Sequence, residues 1–270
     1  MVKGQIVDSA KVLLSFDVEE FDLPREHGAE ISLKEGVKVS TEGLEKALSV
    51  LDETGVRATF FCTANFASVN PSLIRKVAKQ GYEVACHGVD HFKPLDTDIA
   101  ISKEVIEGVI RKKVTGYRQP RMQTIDYQAM KKLGYVYDSS VNPTMIPGRY
   151  NNLGVSRTAY DAGGIIEVPT SVATPIRIPL FWLAMHLFPK WFYNALVKSC
   201  LKKTGCYATY LHPWEFADLA GLNCVPRYIR HNSGEKLVGR FRELIETLQG
   251  MGCVFQTYSE YVDDFLSEHK

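Results

Sequence analysis

The chain has 270 residues, 45% of them hydrophobic and 11% aromatic, with 32 Lys+Arg against 31 Asp+Glu. A net charge of +1 lacks the basic surface that nucleic-acid binding calls for and gives no reason to expect a strongly acidic partner. The apolar content is ample for one large core, and α/β barrels of about 200 to 250 residues routinely fold as one unit, so a single domain over 1–270 is expected.

Near the start, an apolar stretch of about six residues runs straight into acidic side chains, too short for a secretory signal. Six cysteines, at positions 62, 86, 200, 206, 224 and 253, form no CxxC pair, and several sit in apolar runs. They read as small buried hydrophobes in a reducing compartment, so a cytoplasmic protein is expected.

The first β-rich run, 12–16, is followed at once by Asp17-Val18-Glu19-Glu20. A helix opens at Thr41, with Leu44, Ala47, Leu48 and Leu51 on one face, and Gly55 closes it. After a strand at 57–61, Asn70-Pro71 starts a second helix that Gly81 ends, because proline suits the first turn and glycine the left-handed cap. A third strand, 82–86, leads directly into His87-Gly-Val-Asp-His91. Further helices are expected over about 97–112, 124–133 and 234–249, with a last one capped by Ser259. The remaining strands fall at 115–117, 135–137, 165–168, 206–211 and 253–256, giving seven or eight strands alternating with helices around a parallel sheet. The most apolar stretch, 176–200, is interrupted by Arg177, Pro179, His186, Pro189 and Lys190, which argues against a membrane span of about 20 apolar residues. It reads as one or two buried helices, a lid, or a peripheral membrane contact.

This layout gathers scattered polar residues. Asp17 and Glu19 follow the first strand, His87 and His91 the third, Arg118 the fourth, Asp138 the fifth and His212 the seventh. Ionisable residues just past the C-terminal ends of parallel strands converge on one face of a barrel, where such folds place their active sites. Strand alternation puts Asp17 and Glu19 on one side, so that Glu19 can bind a metal while Asp17 takes a proton from water. An alternative is a solvated acidic turn. Two imidazoles four positions apart, with a carboxylate, suit a catalytic divalent metal with a position left for water. His212 suits proton donation to a leaving amine, although a lone histidine is more often a satisfied interior one. Asp138 would accept the other N–H of His212, or else cap the turn it opens. Arg118 would grip Asp17 with its planar fork, or else lie on a surface turn.

In order and spacing these residues resemble the polysaccharide deacetylases, the NodB-homology group or carbohydrate esterase family 4, over 13–265. The segment SFDVEEF corresponds to the first motif, His87 through His91 to the second, Arg118-Gln119-Pro120 to the third, Asp138 to the fourth and Leu211-His212 to the fifth. The resemblance implies a distorted (β/α) barrel, α/β in class, that removes acetyl groups from sugars with zinc or a related ion. Asp17 would be the base, His212 the acid, Arg118 and Asp138 their partners, and Glu19, His87 and His91 the metal ligands. The Arg121 backbone N–H would help bind the oxyanion, and Arg121, Trp214 and Glu215 are expected on the substrate side. Val18 stands where the group has its second Asp, which shifts the ligand to Glu19. Together with the HPWEF ending, this is similar to a branch with a D-V-E first motif. The expected function is metal-dependent removal of N-acetyl or formyl groups from a glycan or a nucleotide- or lipid-linked sugar precursor. Two alternatives are allantoinase-like opening of a cyclic amide without metal and a noncatalytic glycan-binding barrel.

Overall fold

A computed structural model describes residues 10–269; residues 1–9, on which part of the N-terminal reading leans, lie outside them. Strand β1 (Lys11–Val18) shows how the barrel is made. Successive side chains on a strand point to opposite faces. Val12, Leu14, Phe16 and Val18 thus pack outward in the large core, and Leu13 packs inward with Phe61, Ala85 and Ala208. Ser15 Oγ also reaches inward, to the Arg118 guanidinium at 2.9 Å. A parallel sheet buried on both faces needs such apolar runs.

The other principal strands are β2 (Thr59–Cys62), β3 (Glu83–Cys86), β4 (Gly116–Tyr117), β5 (Tyr137–Asp138), β6 (Ile166–Glu167), β7 (Cys206–Leu211) and β8 (Val254–Phe255). All eight expected strands are present. They form a curled, parallel-dominated sheet in the order β7-β1-β2-β3-β4-β5-β6, with β8 beside the start of β1 and Tyr160–Asp161 antiparallel on the outer edge of β6. The barrel is incomplete between β6 and β7. There Ser171 spans the gap: its N–H donates to the Ala208 carbonyl at 2.8 Å, and its hydroxyl accepts from the Ala208 N–H at 2.9 Å.

Outside the sheet lie α1 (Leu33–Thr54), α2 (Ala64–Val69), α3 (Pro71–Lys79), α4 (Asp98–Ile110), α5 (Tyr127–Lys132), α6 (Trp182–Leu187), α7 (Lys190–Thr204), α8 (Glu235–Gly250) and α9 (Tyr258–Glu268). Helix α1 starts before Thr41, because Ser32 and Glu35 form a reciprocal capping box and carry the helix through 41. Thr257 with Glu260, rather than Ser259, caps α9 in the same way. The 176–200 stretch resolves into α6 and α7, broken at Pro189, and no helix of the described residues is long and apolar enough to cross a membrane. Phe16 stacks on Phe60 at 5.1 Å and meets Phe241 of α8 edge-on at 5.7 Å, locking β1 between sheet and helices. Each such fully buried ring is worth about 1.5–3 kcal/mol.

Candidate active site

The C-terminal ends of the strands open into a cleft of about 360 Å³ lined by Asp17, Glu19, His91, Arg121, His212 and Trp214, with Tyr150, Phe181 and Trp182 among its aromatic walls. Ser15, Asp17 and Glu19 continue the inward column of β1. Strand β1 extends two residues past the expected end, so Asp17 stands on a ladder paired with Phe61 rather than on a turn.

Arg118 is completely buried beneath the cleft. Its fork donates to Asp17 Oδ1 at 2.6 Å, Ser15 Oγ and Ser139 Oγ at 2.9 Å each, and Tyr258 Oη at 3.1 Å, while Nε donates to the Ser139 carbonyl at 2.9 Å. The cation lies 4.0 Å from the centre of the Phe61 ring. Burial opposes its charge, but Asp17 more than compensates and keeps it protonated. The carboxylate of Asp17 is therefore held by a rigid partner, as expected.

Glu19 Oε2 lies 3.2 Å from His91 Nε2 and 3.5 Å from His87 Nε2, and the three ligand atoms fall within 4.8 Å of one another. Glu19 Oε2 and His87 Nε2 are buried and have no hydrogen-bond partner among the described residues. Burial alone would raise the Glu19 pKa, yet His91, His212 and His87 bring it down to about 2. The outer nitrogens are committed elsewhere: His87 Nδ1 donates to the Arg118 carbonyl at 2.8 Å and His91 Nδ1 to Asp22 Oδ2 at 2.9 Å. Carbonyl and carboxylate partners on the far nitrogens are what orient metal-binding imidazoles. Burial lowers the His91 pKa, but Glu19 and Asp22 outweigh it and raise it to about 9. Two imidazoles and a carboxylate, with two orphaned atoms converging, fit a divalent cation.

The loop that carries the imidazoles is built for this. Gly88 turns at φ 69 with Pro120 pressed so close that a Cβ would sit 2.8 Å from its ring. Glu20, pointing away from the cleft, accepts from Thr63 Oγ1 at 2.8 Å, Asn65 Nδ2 at 3.3 Å and the His91 N–H at 3.4 Å. It thereby ties the loop to the start of α2.

Across the cleft, the turn Pro213–Phe216 brings His212 Nε2 to 3.9 Å from Glu19 Oε1. Burial lowers the His212 pKa, but Glu19 and Glu215 raise it above the ordinary histidine value, as a proton donor requires.

The expected partner of His212 needs correction. Asp138 accepts instead from Ser140 Oγ at 2.7 Å and the Ser140 N–H at 3.2 Å, and it stands in register with Glu167 on β6. It lies on the far side of the β6–β7 gap, where its side chain turns toward the neighbouring strand. Glu215 takes its place, since its Oε1 accepts from His212 Nδ1 at 2.8 Å and from the His212 N–H at 2.6 Å. Glu215 is fully buried and is thereby removed from the substrate side. Trp214 lines the cleft but also serves the ligand set: its indole N–H donates to Glu19 Oε1 at 3.1 Å, and its ring stacks on His212 at 5.0 Å. Arg121 lines the cleft, paired with Glu26 at 2.7 Å, and with Met122 it holds an uncommon positive φ (61° and 53°).

Asp22, Ser139 and the role of Glu215 as the partner of His212 escaped the sequence reading. The signal for Glu215 was its position three residues after His212 on a tight turn, and that for Asp22 its place three beyond Glu19.

Residues 8–137 match the family model for polysaccharide deacetylase, a span that holds Asp17, Glu19, His87, His91 and Arg118. An uncharacterised protein, YlxY, from Bacillus subtilis is 34% identical over 106 residues, 35% of this chain and 33% of that protein, so the match spans about a third of that relative's length. The solved structure of a Mycobacterium smegmatis protein assigned as a polysaccharide deacetylase aligns with a TM-score of 0.67 at 19% identity, covering 97% of this chain and 92% of that one. An allantoinase structure aligns equally well, at 0.67 and 12% identity over 97% and 92%. These two likenesses are of fold. Over residues 8–137 the chain thus resembles the polysaccharide deacetylases in sequence, and the described residues share the barrel fold of these solved structures.

Proposed function

We propose that the chain is a metal-dependent hydrolase that removes an N-acetyl or formyl group from a glycan or a nucleotide- or lipid-linked sugar precursor. The observation that carries this reading is the Glu19, His87 and His91 cluster, with an Arg118-clamped carboxylate on one side and a Glu215-held imidazole on the other. The whole chain acts as one catalytic domain in this reading, since the site draws on residues from Asp17 to Tyr258. Zinc suits the two nitrogen donors and one carboxylate. Buried thiols such as Cys62 and Cys86, whose pKa burial pushes up, suit a reducing cytoplasmic setting.

A divalent cation on Glu19, His87 and His91 would act as a Lewis acid toward the acyl oxygen and make water a nucleophile near neutral pH. Asp17, held in place by Arg118, accepts the proton of the attacking water. The Arg121 backbone N–H stabilises the developing oxyanion. His212 donates a proton to the nitrogen as the C–N bond breaks, so the amine leaves neutral and acetate or formate remains. The aromatic walls, Tyr150, Phe181 and Trp182, offer faces on which a sugar ring can stack.

The test is release of acetate or formate from chitooligosaccharides, amino-sugar nucleotides and lipid-linked amino sugars, with chelation followed by metal restoration. Turnover that chelation abolishes and zinc restores is the expected result. Turnover on a cyclic ureide that survives chelation would replace this reading with allantoinase-like chemistry.

A further inference from the structure

We propose that His186 is a positioning residue for this reaction, acting through Glu215 to hold the proton-donating imidazole of His212 in register with the cleft. The inference rests on the acyl-hydrolysis reading above. His186, on α6, is buried, and its Nε2 donates to Glu215 Oε2 at 2.7 Å. Glu215 is also buried, and its Oε1 is taken by the two donors of His212. The carboxylate is thus suspended between two imidazoles, one oxygen each. A buried carboxylate oxygen deprived of its donor bears its full desolvation cost, so it turns to find another partner. Among the described residues the side chain of Glu215 accepts from His212 and His186 alone, and turning would unseat the His212 Nδ1–H bond.

Three features argue that His186 is placed for this contact. Among the described residues its buried Nδ1 has no partner, so the ring's polar bond there is the one to Glu215. Asn232 Nδ2 donates to its backbone carbonyl at 2.6 Å, fixing the end of α6. The Trp182 ring lies edge-on to both His186 and His212, at 6.0 and 5.3 Å between centres, filling the space into which either imidazole could swing. With Nδ1–H committed to Glu215, His212 presents Nε2 to the cleft, the atom a leaving nitrogen would meet.

The experiment compares full-length His186→Leu and His186→Gln with the parent chain in two readouts. One is kcat and KM on whichever acyl substrate the release assay identifies, and the other is the His212 Nδ1–H resonance in protein labelled with ¹⁵N-histidine. Removing the donor in His186→Leu should lower kcat by roughly 10- to 100-fold, the usual cost of losing a supporting partner, with KM little changed. The His212 Nδ1–H resonance should shift upfield and exchange faster. His186→Gln, whose amide can donate to Oε2, should recover kcat to within a few-fold and restore the resonance. Should His186→Leu fail to fold, His186→Asn, with an amide too short to reach Oε2, takes its place. Unchanged kcat and resonance in the donor-less variant overturn the proposal, as does equal impairment by Gln and Leu. If the parent chain releases no acyl group from any substrate, the functional reading fails, and the His212 resonance alone decides whether His186 positions that ring.

Discussion

Asp17 and Glu19 stand two residues apart on one strand face, and although His87 Nε2 lies within 3.8 Å of both, their closest partners differ, which predicts separable defects. Asp17 faces Arg118 at 2.6 Å, whereas Glu19 Oε2 faces His87 and His91. Asp17→Asn should therefore keep stoichiometric zinc while turnover falls by about 10²–10⁴, the usual contribution of a general base. His87→Ala should lose both metal and turnover. Metal analysis beside kcat separates the two, and zinc retained by a His87→Ala, His91→Ala double variant would refute the ligand assignment. A second prediction concerns the carboxyl pair behind the site. Burial pushes Glu167 well above the usual carboxyl range, and Asp138 beside it pushes the same way. In the unfolded chain Glu167 loses its proton near pH 4.3, while in the folded protein it keeps it to higher pH. Stability that the pair contributes at low pH is thus lost as pH rises toward the folded value, by up to about 1.4 kcal/mol per pH unit. Glu167→Gln carries a permanent N–H donor in place of that proton. Its denaturation midpoint relative to the parent chain should rise between pH 5 and pH 8, and a constant difference would show that the pair does not titrate in that way.

At the scale of elements, helix α1 spaces the two halves of the site. Gly36 and Gly43 are seven residues, about two turns, apart, so they lie on one helix face. A Cβ at Gly36 would come within 2.9 Å of the Phe21 carbonyl, in the segment carrying Glu19 and Asp22. One at Gly43 would come within 1.8 Å of the Pro213 carbonyl, in the turn carrying His212, Trp214 and Glu215. Gly43→Ala must therefore push that turn away or bend the helix, and turnover should fall at least tenfold. Gly108→Ala, on α4, is the control: nothing lies within 4 Å, so α4 should gain about 0.5–1 kcal/mol with unchanged turnover. These close approaches also show why part of the site was illegible in sequence. Strand alternation and end positions revealed Asp17, Glu19, His87, His91, Arg118 and His212, because backbone period dictates them. Glu215 stands only three residues past His212, but which carboxylate, Asp138 or Glu215, reaches that imidazole depends on which strands flank the barrel's gap. The start of α1 was missed because Thr41 mimics a cap within a helix that Ser32 had already opened.

For the molecule as a whole, the decisive object is one buried cation. Arg118 follows β4 directly, yet it bonds to β1 through Ser15 and Asp17, to the chain leaving β5 through Ser139, and to the start of α9 through Tyr258. It thus joins the first strand, the middle of the sheet and the last helix beneath the cleft, in a barrel whose ladder is not continuous. A lysine can match the charge but not the fork, because its single ammonium cannot serve Asp17, Ser139 and Tyr258 at once. Arg118→Lys should cost about 3–5 kcal/mol, because more than one buried acceptor of the fork is left without its donor at about 1–3 kcal/mol each, and it should also lower turnover, since Asp17 loses its fixed partner. Tyr258→Phe removes one acceptor at the periphery of the same network and should cost only about 1–3 kcal/mol, leaving kcat within a few-fold because the Asp17 contact survives. Chemical denaturation together with kcat for both variants tests the point. If the two lost stability equally and kept kcat alike, Arg118 would be a packing residue, and the clamp on Asp17 would have no part in holding the base.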